Sequence, residues 1–165
     1  MSEPAPAGNV FQEYFINVFR YKYVQYQGRA RRREYWMFCL FYTVLELIFV
    51  ALFAMGLDTL GNYLSNIFSA ATLLPSVCLG IRRLHDIGKS GWWILVFYGI
   101  IIVAAFILGF SVAAESLVGL VVCAVALIAN IVVFLVFLCL DSQPGENQYG
   151  PNPKTASGEI TETLI

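Results

Sequence analysis

Four long apolar runs alternate with short polar or turn-forming segments along the chain. The runs cover residues 35–57, 60–81, 92–110 and 117–140. As a helix, each run is long enough to cross a hydrocarbon core of about 30 Å. The first and second runs are joined by a short turn, and so are the third and fourth. The pattern therefore predicts an all-α integral membrane protein with four transmembrane helices arranged as two hairpins.

The segments around these runs have patterns of their own. In residues 10–19 apolar side chains recur every three or four positions, which predicts an amphipathic helix on the membrane surface or against the helix bundle. Residues 141–154 are rich in Pro, Gly and Asn and predict a chain of turns. We expect residues 1–8 to be disordered and residues 155–165 to be loose. A single membrane domain over residues 9–154 follows.

The charged residues are few and unevenly placed. Hydrophobic residues make up 59% of the chain and charged residues 13%, about half the charge of an ordinary soluble domain. All ten Lys and Arg lie in residues 20–33, in residues 82–89 or at Lys154. Positive charges beside spans favour the cytoplasmic side, and two spans separate the clusters, so we expect both clusters and both termini there. Because each cluster flanks a span, nucleic acid is not an expected partner.

Residue types that carry catalysis or bind cofactors do not form a group. The four cysteines lie inside apolar runs without metal-ligand spacing, and His85, the one histidine, cannot hold zinc alone. His85 and Asp86 are sequence neighbours, which point in different directions on a helix, and no nucleophile accompanies them. The segment Gly88-Lys89-Ser90 lacks the first glycine of a phosphate-binding loop. We therefore expect no enzyme, no cofactor and no metal site.

Basic and aromatic residues converge at the predicted cytoplasmic surface. The candidates for binding lipid or a protein partner, or for joining the two loops, are Arg29, Arg31, Arg32, Arg33, Arg82, Arg83, His85, Asp86, Lys89, Trp92 and Trp93. Each cation near anionic lipid gains about 1 kcal/mol. The alternative is that these charges only set the topology and that the tryptophans only anchor a helix end. Topology does not require Asp86, and we predict that it pairs with an arginine among residues 31–33 and ties the two loops together.

Glu46 lies inside the first predicted span. It follows Tyr35 by eleven residues, about 16 Å along the helix and near the middle of the membrane. A carboxylate at that depth costs several kcal/mol, so we expect Glu46 to be largely protonated and hydrogen-bonded to Ser69, Thr72 or Asn130. Either these residues clasp the helices together, or they line a proton or solute pathway.

Three blocks carry a resemblance to a known family. They are residues 28–36, residues 82–86 with residues 90–93, and residues 145–150 ahead of Pro153. The third block contains a tail motif of Gly145, Asn147, Tyr149, Gly150 and Pro153. Together the blocks resemble the signature of a bacterial inner-membrane family known as domain of unknown function 805. The resemblance implies a small multi-pass protein of the cytoplasmic membrane and no reaction, because the family carries no assigned chemistry.

Two function classes remain open. The first is a non-enzymatic membrane module whose basic and aromatic surface binds anionic lipid headgroups or a protein partner. The second is a small transporter or channel, working as a homo-oligomer, that uses Glu46 and the polar faces of the second and fourth spans. We favour the first, because one acidic residue and a serine-rich stripe make a thin conduction path.

Overall fold

The computed structural model describes residues 9–155, which contain six helical elements followed by a non-helical tail. A π-helix, Gln12–Ile16, runs directly into a short α-helix, α1 (Asn17–Tyr21). The four long helices are α2 (Arg32–Ala54), α3 (Asp58–Asp86), α4 (Trp92–Ala113) and α5 (Leu117–Cys139). Each of these four is long and apolar enough to cross a membrane. The predicted all-α fold with four spans is confirmed, whereas the expectations for residues 1–8 and 156–165 lie outside the described residues.

The predicted helix ends agree with the structure except at the end of the second span. Most ends fall within three residues of the prediction, although α4 continues to Ala113, where the sequence predicted a turn from residue 111. The larger error concerns residues 82–86, which the sequence placed in a loop and which form the last turn of α3. This turn stays helical because the buried side chains of Arg82, Arg83 and Asp86 all find polar partners.

The four long helices form two hairpins, in which α2 packs along α3 and α4 packs along α5. In each hairpin, one glycine permits the two helices to approach closely. A Cβ atom on Gly61 would lie 2.9 Å from the carbonyl oxygen of Phe49, and one on Gly119 would collide with the side chain of Ser111. The backbones can therefore approach closely near each connecting turn.

The segment before α2 packs on the first hairpin, one of the two placements that its sequence predicted. Phe15 is 4% exposed and stacks on Phe38 of α2, with 5.4 Å between ring centroids. Val18, Ala30 and Leu79 complete the buried cluster. Stacked aromatic pairs of this kind contribute about 1 kcal/mol each beyond the area that they bury.

A proline inside α3 adds a second link to the same segment. Pro75 has no N–H, so the carbonyl oxygen of Ala71, four residues earlier, loses its helical partner. The hydroxyl of Tyr23 donates to that oxygen at 2.9 Å. The break in the helical hydrogen bonds is therefore filled by a side chain from outside the helix.

The basic residues gather at one end of the bundle. The starts of α2 and α4, the ends of α3 and α5, and the tail over residues 140–155 meet there, and we call this the basic end. The N–H of Ala30 donates to the carbonyl of Arg82 at 3.0 Å, and that of Gln143 donates to the carbonyl of Asp86 at 2.9 Å. The tail forms turns, as predicted, with a bridge between Asn147 and Gly150. These turns fold back across the ends of the helices.

Candidate functional site at the basic end

Asp86 is the centre of a buried polar network at the basic end. Its side chain is fully buried. One carboxylate oxygen, Oδ1, accepts from Nε of Arg29 at 3.0 Å. The other, Oδ2, accepts from Nη1 of Arg83 and from Oγ of Ser142, both at 2.6 Å. Charge and hydrogen bonds are thus supplied together, which a buried carboxylate requires. We call these four residues, with the backbone carbonyls that they contact, the Asp86 network.

The guanidinium group of Arg29 connects Asp86 to the tail. Its Nη2 atom donates to the carbonyl of Gln143 at 2.6 Å, and Nη1 donates to those of Gly145 and Gly150 at 2.9 and 3.3 Å. Both glycines have a positive φ, which lets the tail turn sharply around the arginine. The planar, forked guanidinium reaches several oxygens that one lysine ammonium could not.

The guanidinium group of Arg83 binds the end of α5. Its Nε atom donates to the carbonyl of Leu138 at 3.1 Å, and Nη2 donates to that of Leu140. The last carbonyls of a helix have no partner within the helix and carry partial negative charge. Arg83 satisfies two carbonyls at this end and joins the first hairpin to the second.

Arg82 belongs to a second, adjoining set of ion pairs. Its Nη2 atom and Nζ of Lys22 each lie 2.9 Å from Oε1 of Glu34. Arg82 and Glu34 are on α3 and α2, and Lys22 is on the segment that precedes α2. The three charges therefore hold the segment before α2, the start of α2 and the end of α3 together at the basic end.

The prediction that Asp86 pairs with an arginine among residues 31–33 is wrong, and its partner in that block is Arg29. The backbone bond from Ala30 to Arg82 holds Arg29 against the end of α3. Helix α2 begins at Arg32, and Arg31 is its half-buried N-cap residue. The side chains of residues 31–33 therefore extend from the start of α2, whereas Arg29 lies before it. A tie between the two loops does exist, but Arg29 makes it.

Three other basic candidates lie on the exposed side of this end. Arg32 pairs with Asp141 at 3.1 Å, the guanidinium of Arg33 lies 5.4 Å from the ring centre of Tyr14, and Lys89 is exposed. Trp92 is also exposed, at 74%, and the indole of Trp93 packs against the ring of Phe137 on α5. Cations and indole rings thus share one level of the bundle.

Asp141, at the start of the tail, is an exposed carboxylate between two cations. Its Oδ1 atom lies 2.6 Å from Nζ of Lys154 and 3.1 Å from Nη2 of Arg32. The hydrogen bond from Lys154 is the main cause that lowers the pKa of Asp141 below its usual value. This group therefore stays ionised at the membrane surface.

His85 and the tail motif form the side of the basic end that faces α4. The imidazole stacks on the ring of Tyr149, with centroids 3.7 Å apart and an interplanar angle of 3°. Its Nδ1 atom lies 3.2 Å from the carbonyl oxygen of Gly28. The amide of Asn147 donates to the carbonyl of His85 at 3.0 Å, whereas Pro153 lies further along the tail and is half-buried.

Glu46 forms a separate site between α2 and α3. Its two carboxyl oxygens accept from Oγ of Ser65 at 2.8 Å and from Oγ of Ser69 at 2.7 Å. Of the three alternative partners that the sequence predicted, Ser69, Thr72 or Asn130, the structure shows Ser69. Thr72 donates to carbonyls of its own helix, and Asn130 donates to the carbonyl of Phe97 on α4. The polar side chains of the two hairpins therefore make separate contacts.

Sequence reasoning missed Ser142 and Ser65 as partners of these two carboxylates. Ser142 lies in the tail, 56 residues from Asp86, so nothing local to either residue indicates the contact. Ser65 had a detectable signal, because it precedes Ser69 by four residues and therefore shares its helix face. Over residues 9–155 no group of three or more His, Cys, Asp or Glu side chains is placed to hold a metal ion.

Comparison with known proteins agrees with this architecture. Residues 23–151 match the family described as protein of unknown function DUF805. This chain belongs to that family. Inner membrane protein YhaI of Escherichia coli (strain K12) is 35% identical over 146 residues, which cover 88% of this chain and 98% of that relative. Inner membrane protein YhaH of the same strain is 31% identical over 145 residues, 86% and 97% of the two chains. No solved structure matches this member of DUF805.

Proposed function

We propose that this chain is a non-enzymatic membrane module whose basic end binds anionic lipid headgroups. The observation that carries the proposal is the exposure of Arg32, Arg33 and Lys89 at the level of the exposed indole of Trp92. Tryptophan settles at the headgroup level of a bilayer, so these cations would face the lipid phosphates. Three of them together would contribute about 3 kcal/mol at an anionic surface.

The buried arginines narrow the surface that lipid can use. Arg29, Arg82 and Arg83 are buried, and all three are bound to carboxylates and backbone carbonyls. Bringing them to a headgroup would break the contacts that close the bundle. The lipid surface we propose is therefore smaller than the sequence alone indicated, and it consists of the exposed cations.

Orientation is part of the same proposal. The basic end should face the cytoplasm, because positively charged segments beside spans are retained there. The opposite end carries Asp58 and Glu115, and no Lys or Arg lies in residues 34–81 or 90–153. In a background without the four native cysteines, Ser90→Cys should resist an impermeant thiol reagent in spheroplasts and react in inverted vesicles. Asp58→Cys is the matched control and should show the reverse; labelling of Ser90→Cys in spheroplasts would contradict the orientation.

Thermal unfolding of the purified protein tests lipid binding directly. A ligand of the folded state raises Tm, so mixed micelles with phosphatidylglycerol should stabilise the protein more than micelles with phosphatidylcholine. This gain in Tm from phosphatidylglycerol should shrink as salt is added. The triple variant Arg32→Gln, Arg33→Gln, Lys89→Gln should lose most of it, and the charge-conserving double variant Arg32→Lys, Arg33→Lys should keep it. An unchanged gain in the triple variant would rule out these cations as the lipid surface.

A further inference from the structure

A cavity of about 440 Å³ opens at the basic end between α3 and α4. Its inner wall is aliphatic and consists of Val77, Ile81, Ile94 and Leu95. Its mouth is polar and aromatic and includes Tyr26, His85, Ser90, Trp92 and Tyr149. Leu95 and Trp92 are also exposed on the outside of the bundle, where lipid lies against α4. The cavity thus has an apolar part beside the acyl chains and a polar part at headgroup level.

The ring of His85 is fixed with one nitrogen directed into this cavity. Its Nδ1 atom lies 3.2 Å from the carbonyl oxygen of Gly28, which can only accept, so Nδ1 carries the proton in this contact. Nε2 of the neutral ring is then a hydrogen-bond acceptor. A Cβ atom on Gly91, in the cavity wall, would lie 3.4 Å from Nε2. Tyr149 stacks on the ring and holds this orientation.

The charges nearby favour a hydroxyl group as the donor to Nε2. An ammonium group could also donate, but the buried arginines Arg29, Arg82 and Arg83 outnumber the carboxylates Asp86 and Glu34 that pair with them. The resulting positive charge around His85 opposes a cationic donor. A ligand that carries a hydroxyl group and a negative charge can donate to Nε2 and is also attracted by the positive charge around it.

We infer that this cavity is a headgroup site for an anionic phospholipid whose headgroup carries free hydroxyls. A hydroxyl of the headgroup donates to Nε2 of His85 beside the hydroxyl of Ser90, and one acyl chain lies along the aliphatic wall. The inference rests on the proposed function, since the exposed cations bring anionic lipid to this end. It adds selectivity among anionic lipids, which those cations alone do not provide.

Quenching of Trp92 fluorescence tests the site. Trp36→Phe and Trp93→Phe leave Trp92, at the cavity mouth, as the one tryptophan of the chain. The protein is reconstituted in phosphatidylcholine bilayers with added lipids whose acyl chains are brominated near the headgroup. The added lipids are phosphatidylglycerol, which is anionic with hydroxyls, phosphatidylmethanol, which is anionic without them, and brominated phosphatidylcholine as the zwitterionic reference. Half-maximal quenching should need about fivefold less phosphatidylglycerol, the factor that corresponds to one hydrogen bond.

Variants connect this preference to the cavity. His85→Asn places an amide nitrogen near the position of Nδ1 and removes Nε2, so the preference for phosphatidylglycerol should disappear. Leu95→Phe fills the cavity from an exposed position and should also abolish it, even if His85→Asn does not fold. Ile102→Phe, exposed on the same helix, is the matched control and should keep the preference.

The possible results separate the two proposals. Equal quenching by both anionic lipids, with each stronger than brominated phosphatidylcholine, would overturn the headgroup site and leave the proposed function intact. Quenching no stronger than that of brominated phosphatidylcholine would overturn both. A preference for phosphatidylglycerol that persists in folded His85→Asn or Leu95→Phe would also overturn the site.

Discussion

Two carboxyl groups on the first hairpin, those of Asp86 and Glu46, have opposite surroundings. Asp86 accepts from two guanidinium groups and a hydroxyl, whereas Glu46 accepts from two serine hydroxyls. The donors of Asp86 offset a negative charge, and the donors of Glu46 supply hydrogen bonds without offsetting one. Both carboxyl groups are thus hydrogen-bonded through both oxygens, and the charge of the donors is what distinguishes the two sites.

The largest effect should come from converting Asp86 to its amide. Asp86→Asn keeps the shape of the side chain but leaves Arg29 and Arg83 buried without a counter-charge. We expect the free energy of unfolding to fall by about 3–5 kcal/mol, measured by thermal or chemical unfolding in detergent. Ser142→Ala, which removes only the neutral donor, should cost about 1 kcal/mol. Equal losses in the two variants would show that charge is not what the network requires.

A smaller loss should follow when the charge of Arg29 is kept and its shape is changed. Arg29→Lys cannot reach both the carboxylate and the tail carbonyls, so we expect a loss of about 2 kcal/mol in unfolding free energy. Arg32→Lys is the control, because Arg32 is exposed, and it should change stability by less than about 0.5 kcal/mol. Similar losses of unfolding free energy in Arg29→Lys and Arg32→Lys would mean that the tail requires only a positive charge at position 29 and not the shape of the guanidinium group.

The corresponding amide change at Glu46 should be nearly neutral. In Glu46→Gln the serine hydroxyls can rotate to donate to the amide oxygen or accept from its nitrogen, so we expect a loss below about 1 kcal/mol. Proton flux into liposomes would be measured on the same preparations. A flux in the wild type that disappears in Glu46→Gln would favour the transporter class over a simple clasp.

The smallest effect concerns the exposed carboxylate of Asp141. Its pKa is lowered on folding, chiefly by the hydrogen bond from Lys154, so it adds stability above the unfolded carboxyl pKa of about 3.9. That contribution is lost as the pH falls through the lower, folded-state pKa. Asp141→Asn should therefore lower Tm slightly at pH 7 and have no effect at strongly acidic pH. High salt should remove the difference at pH 7, and a difference that survives salt would contradict simple surface pairing.

Sequence patterns were sufficient for the four spans because hydropathy and helix length are local properties. The error at the end of α3, in contrast, has a long-range cause. Arg82 to Asp86 has the composition of a loop, and only its buried partners make it the last turn of a helix. A sequence window around residue 86 contains none of Glu34, Arg29 or Ser142, the side chains that bind this turn from elsewhere in the chain.

The partners of the polar residues were harder to predict. The sequence placed Arg29 and residues 31–33 in one cluster, and one backbone hydrogen bond at Ala30 selects Arg29 for Asp86. The acceptors at Gln143, Gly145 and Gly150 are backbone carbonyls, which every residue type has. Residue identity therefore indicated turns in the tail but could not indicate which guanidinium group those turns surround.

The tail, which starts at residue 140, also determines how firmly a truncated chain would close. All four long helices precede it in the chain, so a chain without the tail still contains every span. In a chain that stops before residue 141, Arg29 lacks the tail carbonyls that it binds in the complete protein, and Asp86 lacks the hydroxyl of Ser142. Release of a chain that stops before residue 141 should therefore yield an inserted but loosely closed protein, which membrane proteases would remove faster than the complete one.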